Sequence, residues 1–134
     1  MKKILSVIFI ISLLTSIAYA DDLIMSTGIA TNNNQTIVCN VLINNNGIIK
    51  AMDFNMIIHE VESGNIVSNL CDDNDTIKEF EVLETYSLGK SVDEILNIKI
   101  NEVDGKFLPE PKELQNIDLD IKSLIDAFKN SLGL

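Results

Sequence analysis

Apolar residues recur every second position through the first two thirds of the chain. The segment TIVCNVLI, Thr36 to Ile43, puts Ile37, Cys39, Val41 and Ile43 on one face and Val38 and Leu42 on the other. It is β-branched and bounded by asparagines, which predicts a strand. TNNNQ at 31–35 and NNNG at 44–47 predict the turns around it, because Asn and Gly tolerate left-handed backbone. Over 50–61, Met52, Phe54, Met56 and Ile58 alternate with Asp53, Asn55 and Ile57, a half-buried strand with one wet face. Residues 21–29 predict a short strand containing Leu23 and Ile24, with Gly28 at a bend. Glu62-Ser63-Gly64-Asn65 predicts a turn, and Ile66-Val67 a short strand ending before Cys71. Lys78 to Tyr86 alternates again, with Phe80, Val82 and Tyr86 against Glu79, Glu81 and Thr85; Glu84 breaks the pattern. Leu96, Ile98 and Ile100 predict one more strand, Asp104-Gly105 a turn, and Phe107-Leu108 a few paired residues.

Pro109 and Pro111 end this regime. Leu114, Ile117, Ile121, Leu124, Ile125, Phe128 and Leu132 then recur at threes and fours, the stripe of an amphipathic helix over about 118–132. Asp118 or Asp120 caps its start, Lys129 suits its last turn, and Gly133 stands where a helix stops. The expected product is a small, mainly β antiparallel domain with one C-terminal helix. Leu124, Ile125 and Phe128 form the centre of the stripe, to be used in packing on the sheet or against a partner.

The first twenty residues follow a different logic. Lys2 and Lys3, an apolar run from Ile4 to Leu14, and Ala18-Tyr19-Ala20 match an export signal cut after Ala20. The run is shorter than the roughly 18 residues of a membrane span. The organisation expected is a signal peptide over 1–20 and a single domain over 21–134, placed in the periplasm or secreted, with no stable membrane span after cleavage. Loss of Lys2 and Lys3 takes the formal charge from -10 to about -12, and the chain has no arginine. Nucleic acid is excluded as a partner, because phosphate binding draws its affinity from Lys and Arg.

Cys39 and Cys71 both lie in the exported part. Two cysteines of a small exported domain usually pair, so a Cys39–Cys71 disulfide is expected. Residues that would carry chemistry are sparse. His59 is the sole histidine, with Ser63 and Ser68 nearby in sequence but nothing that marks a triad. One histidine and two bridged cysteines leave a zinc site short of ligands, and no metal or other cofactor is expected. Glu60 with Glu62, and Glu79 with Glu81, read as solvated strand faces. DDND at 72–75 resembles the start of a calcium loop, with Glu84 at position twelve from Asp73, but Lys78 occupies the position that requires glycine. Asn34 and Asn74 open acceptor sequons in predicted loops.

VCNVLINNNG at 38–47, AMDFNMIIHEVESGNIV at 51–67, YSLGKS at 86–91 and LNIKINEV at 96–103 together resemble the small bacterial extracellular immunoglobulin-like domains of the FxLyD type, and more distantly the LEA14-like sandwiches. The resemblance implies an antiparallel immunoglobulin-like β-sandwich, and an accessory or binding role in place of an enzymatic one. His59-Glu60 stands where that family tends to have tyrosine-aspartate. The cysteine pair, the DDND loop and the C-terminal helix fall outside the pattern. The expected function is therefore a small exported, non-catalytic protein of the cell envelope or secretome that acts through protein–protein contact with an unidentified partner. The alternatives are a structural subunit of a larger envelope assembly and an inhibitor of a secreted enzyme.

Overall fold

The computed structural model describes residues 22–134. The expected leader over 1–20 lies outside them.

Four strands, β1 (Leu23–Asn32), β2 (Gln35–Asn44), β3 (Ile49–Glu62) and β4 (Asn65–Leu70), form an antiparallel meander in the order β1-β2-β3-β4. Its turns follow from local chemistry. Ser63 and Gly64 both adopt positive φ (52° and 82°), the backbone that a two-residue hairpin with native twist requires. The register pairs Ile37 with Met56, Cys39 with Phe54 and Val41 with Met52, which aligns the apolar row of β2 with that of β3. A slip between Leu42 and Ile43 then inserts Lys50 as an extra residue. That bulge returns Ile49 to the buried side, although strict alternation from Met52 would turn it outward.

Three helices follow: α1 (Asn74–Ser87), α2 (Val92–Leu96) and α3 (Ile121–Ser131). A hairpin of β5 (Ile100–Val103) and β6 (Lys106–Pro109) and a 3-10 turn over Lys112–Leu114 separate α2 from α3. The fold is mainly β. Its four-stranded sheet is covered on one face by α3, which lies against β1 and β2, and by α1, which lies against β3. The β5–β6 hairpin forms a separate two-stranded sheet.

Two sequence expectations change here. Lys78–Tyr86 is not a strand but the body of α1. Phe80, Leu83 and Ser87 are its buried positions, spaced three and four apart. Phe80, Val82 and Tyr86 sit two and four apart, so over nine residues a helix can imitate period two. Asp73 caps the start, its carboxylate accepting from the Thr76 amide at 2.9 Å and the Thr76 hydroxyl at 2.8 Å. Leu96 to Ile100 is likewise not a continuous strand. Ser91 and Glu94 form a reciprocal capping box that starts α2, and pairing begins only at Ile100.

The C-terminal helix is present but shorter than the stripe predicts, Ile121–Ser131 in place of about 118–132, with Leu114 in the preceding 3-10 turn and Ile117 in the link between them. Asp120 caps it through the Lys122 amide at 3.0 Å. Leu124, Ile125 and Phe128 are buried in the chain's own core. Gly28 is the point where α3 touches β1: a Cβ there would meet the backbone of Ala127 and Ser131. It provides a close approach between two backbones, where the sequence reading placed a bend.

Candidate functional site: the open face of the sheet

Among the described residues, the helices cover one face of the meander and leave the other open. The register sorts that open face into rows. Met25, Leu42 and Ala51 form the first, Thr27, Asn40 and Asp53 the second, and Ile29, Val38 and Asn55 the third. Thr31, Thr36, Ile57 and Leu70 form the fourth. Beyond the end of β2, β3 and β4 continue as an arm that carries His59 with Ser68 and then Val61 with Ile66.

The polar side chains of this face bind one another. Thr27 donates to Asn40 at 2.7 Å, Asn40 to the Asp53 carboxylate at 3.4 Å, and Asn55 to the same carboxylate oxygen at 2.6 Å. A second line runs from Thr31 to Thr36 at 3.4 Å, from Thr36 to His59 Nε2 at 2.8 Å, and from His59 Nδ1 to the Ser68 hydroxyl at 2.8 Å. Apolar side chains flank both lines. Met25, Val61 and Ile66 are each about three quarters exposed (74%, 77% and 76%). Met25, Leu42 and Ala51, with Asn40 and Asp53, frame a shallow hollow of about 140 Å³.

Charge divides with the layers. Most of the 20 acidic residues follow Cys71. Within β1–β4 only Asp53, Glu60 and Glu62 are acidic, and the register turns Glu60 and Glu62 away from the open face. Asp53 is thus the single carboxylate in the rows, and Lys50 stands at their margin in the bulge. This broad face alternates apolar and self-satisfied polar groups and shares one trait with interface centres, a lack of charge; it carries none of their aromatic residues.

Other candidates are placed elsewhere. His59 meets two hydroxyls. The Thr36 hydroxyl occupies the ring nitrogen opposite Ser68, where a triad would place a carboxylate to stabilise the imidazolium. Asp73 is spent on capping α1, and Asp75 lies 3.5 Å from Lys78. Glu79 tethers the α3 approach by accepting from the amides of Asp118 and Leu119, each at 2.8 Å. Glu84, the break in the alternation, accepts from the Phe54 amide at 2.7 Å and so occupies the edge of β3 where β4 has ended. Burial pushes its carboxyl up, against the pull of that amide; Asp53 and Glu81 add to the rise. Among the described residues, no three His, Cys, Asp or Glu side chains are grouped to hold a metal ion. Asn34 lies in the β1–β2 turn and Asn74 opens α1.

A groove of about 740 Å³ runs along α1, with Val82, Tyr86 and Leu88 as its apolar part. Its cations are already engaged, Lys90 over the Tyr86 ring at 4.3 Å and Lys78 with Asp75.

The expected disulfide is absent: Cys39 and Cys71 are both free thiols. Cys39 pairs with Phe54 on β3, and the Cys71 amide bonds to the Met56 carbonyl on the far side of the same strand. Two strand spacings, about 10 Å, separate them, beyond the roughly 7 Å between Cα atoms that a disulfide spans. Burial first, then Asp53 and Glu84, push the Cys39 thiol up to about 12. It therefore stays protonated and inert at neutral pH. A maleimide applied to the native protein is expected to modify Cys71 and to reach Cys39 only after denaturation. Peptide mapping checks this, and a Cys39–Cys71 crosslinked peptide from the native protein would contradict the geometry.

No family model matches the chain, and no curated protein or solved structure matches it. No helix among the described residues is long and apolar enough to cross a membrane.

What the sequence reading missed was the role of the alternate positions. Thr36, Val38, Asn40 and Leu42 interleave with the core row of β2, and none is charged in a chain with a net charge of -10. That local lack of charge was the available signal.

Proposed function

We propose that this protein is an exported, non-catalytic binding or accessory protein that works through protein–protein contact, and that the open face of the β1–β4 sheet is its contact surface. The observation that carries this reading is the composition of the face. Its apolar groups run from half-buried (Val38, Leu42, Ile57) to exposed (Met25, Ile29, Leu70), its polar groups are already bonded to each other, and it holds one carboxylate in an acidic chain. Covering such a face releases apolar surface from water while few polar groups lose solvent without a partner. The N-terminal leader pattern supports a site of action in the periplasm or outside the cell. A sheet laid on this face would complete the sandwich that the resemblance to FxLyD-type domains implies, with the second layer supplied in trans.

The test uses the protein from the exported fraction, with its mass showing loss of residues 1–20. A photo-crosslinking residue at Val38, in the middle of the face, is expected to capture protein in the cell; the same residue at Glu102, on the β5–β6 hairpin, is expected to capture none. Crosslinks from Glu102 with none from Val38 would overturn the assignment of the face.

A further inference from the structure

We propose that the occupant of the open face is a second copy of this chain, packed sheet against sheet about a twofold axis. This rests on the reading of that face as a contact surface. Three features select self-association.

The first is size. Under a twofold axis across the strands, β1, β2 and the first part of β3 overlap their mates. Three strands about 4.8 Å apart over about ten residues, at roughly 3.3 Å per residue, present roughly 475 Å² in projection, or about 950 Å² over two copies. That exceeds the roughly 800 Å² of adventitious contacts and falls below the roughly 1,200–2,000 Å² of tight ones, the size of a weak, reversible dimer.

The second is shape. A twofold axis across the strands, between the Thr27–Asn40–Asp53 row and the Ile29–Val38–Asn55 row, exchanges the first row with the fourth. Ile57 of one copy then arrives over Ala51 of the other, at the hollow framed by Met25, Leu42 and Ala51. The contact is reciprocal, as an isologous interface must be. The same operation sets Asp53 of one copy against Asn55 of the other, so the two carboxylates do not oppose each other.

The third is charge. Two exported chains, each at -12 once Lys2 and Lys3 are removed from the -10 of the full sequence, repel wherever their acidic surfaces meet. Here the acidic helical layer lies on the far side of the sheet from the second copy. A layer spacing of about 10 Å exceeds the Debye length of about 8 Å at physiological salt. The open face therefore lets two such chains meet with little repulsion.

Light scattering behind size-exclusion chromatography of the purified chain is expected to approach twice the chain mass as protein concentration rises, with a melting temperature that rises alongside. Val38→Lys and Ile57→Lys are each expected to weaken the dimer at least tenfold and to leave the monomer's circular dichroism spectrum native, because both positions lie on the uncovered side. Glu102→Lys, away from the face, is expected to leave the dimer intact. A dimer weakened by Glu102→Lys but untouched by Val38→Lys and Ile57→Lys would overturn the proposal. So would a chain that stays monomeric at its highest soluble concentration. If that monomer nevertheless crosslinks through Val38 to a different protein in the cell, the second copy is rejected and the contact face stands. If Val38 captures nothing while Glu102 does, both fall.

Discussion

Gly28→Ala is expected to unseat the C-terminal helix and to cost about 3 kcal/mol or more, the upper end of what overpacking does. The added Cβ would overlap the Ala127 carbonyl oxygen and the Ser131 amide nitrogen and stand 2.6 Å from the Ser131 Cα. All three are backbone atoms, so no rotamer change relieves the clash. The helix would have to leave β1, taking Leu124 and Phe128 from the core and the Asn130 side chain from the Ile29 carbonyl that it caps at 2.7 Å. Met25→Ala, three residues earlier on the open face, removes a side chain that is already 74% exposed and is expected to change the stability of the monomer by no more than about 0.5 kcal/mol. Chemical denaturation of the two variants beside the parent protein measures the difference. A Gly28→Ala protein as stable as the parent would mean that α3 does not sit on β1 in the closely packed position described.

The first half of the fold was readable because two signals agreed there. Asparagine- and glycine-rich turns fixed the ends of β2 and the start of β3, and period two fixed their buried faces. The C-terminal helix was readable for a similar reason: prolines before it, an aspartate cap, and an apolar stripe of which Ile121, Leu124, Ile125 and Phe128 lie in the helix. Between them the signals conflicted. In α1, Phe80, Val82 and Tyr86 imitated a strand, and Glu84 was the clue against it. On a helix that residue turns toward the sheet and takes the Phe54 amide. In α2 the reciprocal bonds of Ser91 and Glu94 outweighed the alternation that follows. The cysteine pair misled because sequence gives loop length and compartment but not the strand spacing that separates the thiols. The open face was half legible. Alternation says that β2 and β3 each have two sides. It does not say that both helices choose the same side, which depends on contacts far apart in sequence, such as Gly28 with Ala127 and Ser131. The side they leave bare is the candidate site.

Phe128→Asp is expected to unfold the domain. Phe128 is among the largest side chains wholly removed from solvent, with Leu124 and Ile125 on the same stripe. Truncating such a phenylalanine to alanine typically costs about 3–5 kcal/mol through lost transfer energy and the cavity left behind. Aspartate adds the cost of a carboxylate with no partner in an apolar site, which it meets by taking up a proton or by admitting water. Against a total stability of about 5–15 kcal/mol for an ordinary domain, the combined loss leaves little or none. Circular dichroism is expected to show loss of native signal at room temperature, and thermal scans no cooperative transition. The contrast with Val38→Lys is the informative part. Both changes place a charge at an apolar position, one under the helices and one on the open face. The first is expected to remove the fold and the second to remove only the assembly. If Phe128→Asp left the melt unchanged and abolished association instead, the stripe of α3 would be the interface, and the sheet's covered and open faces would have exchanged roles.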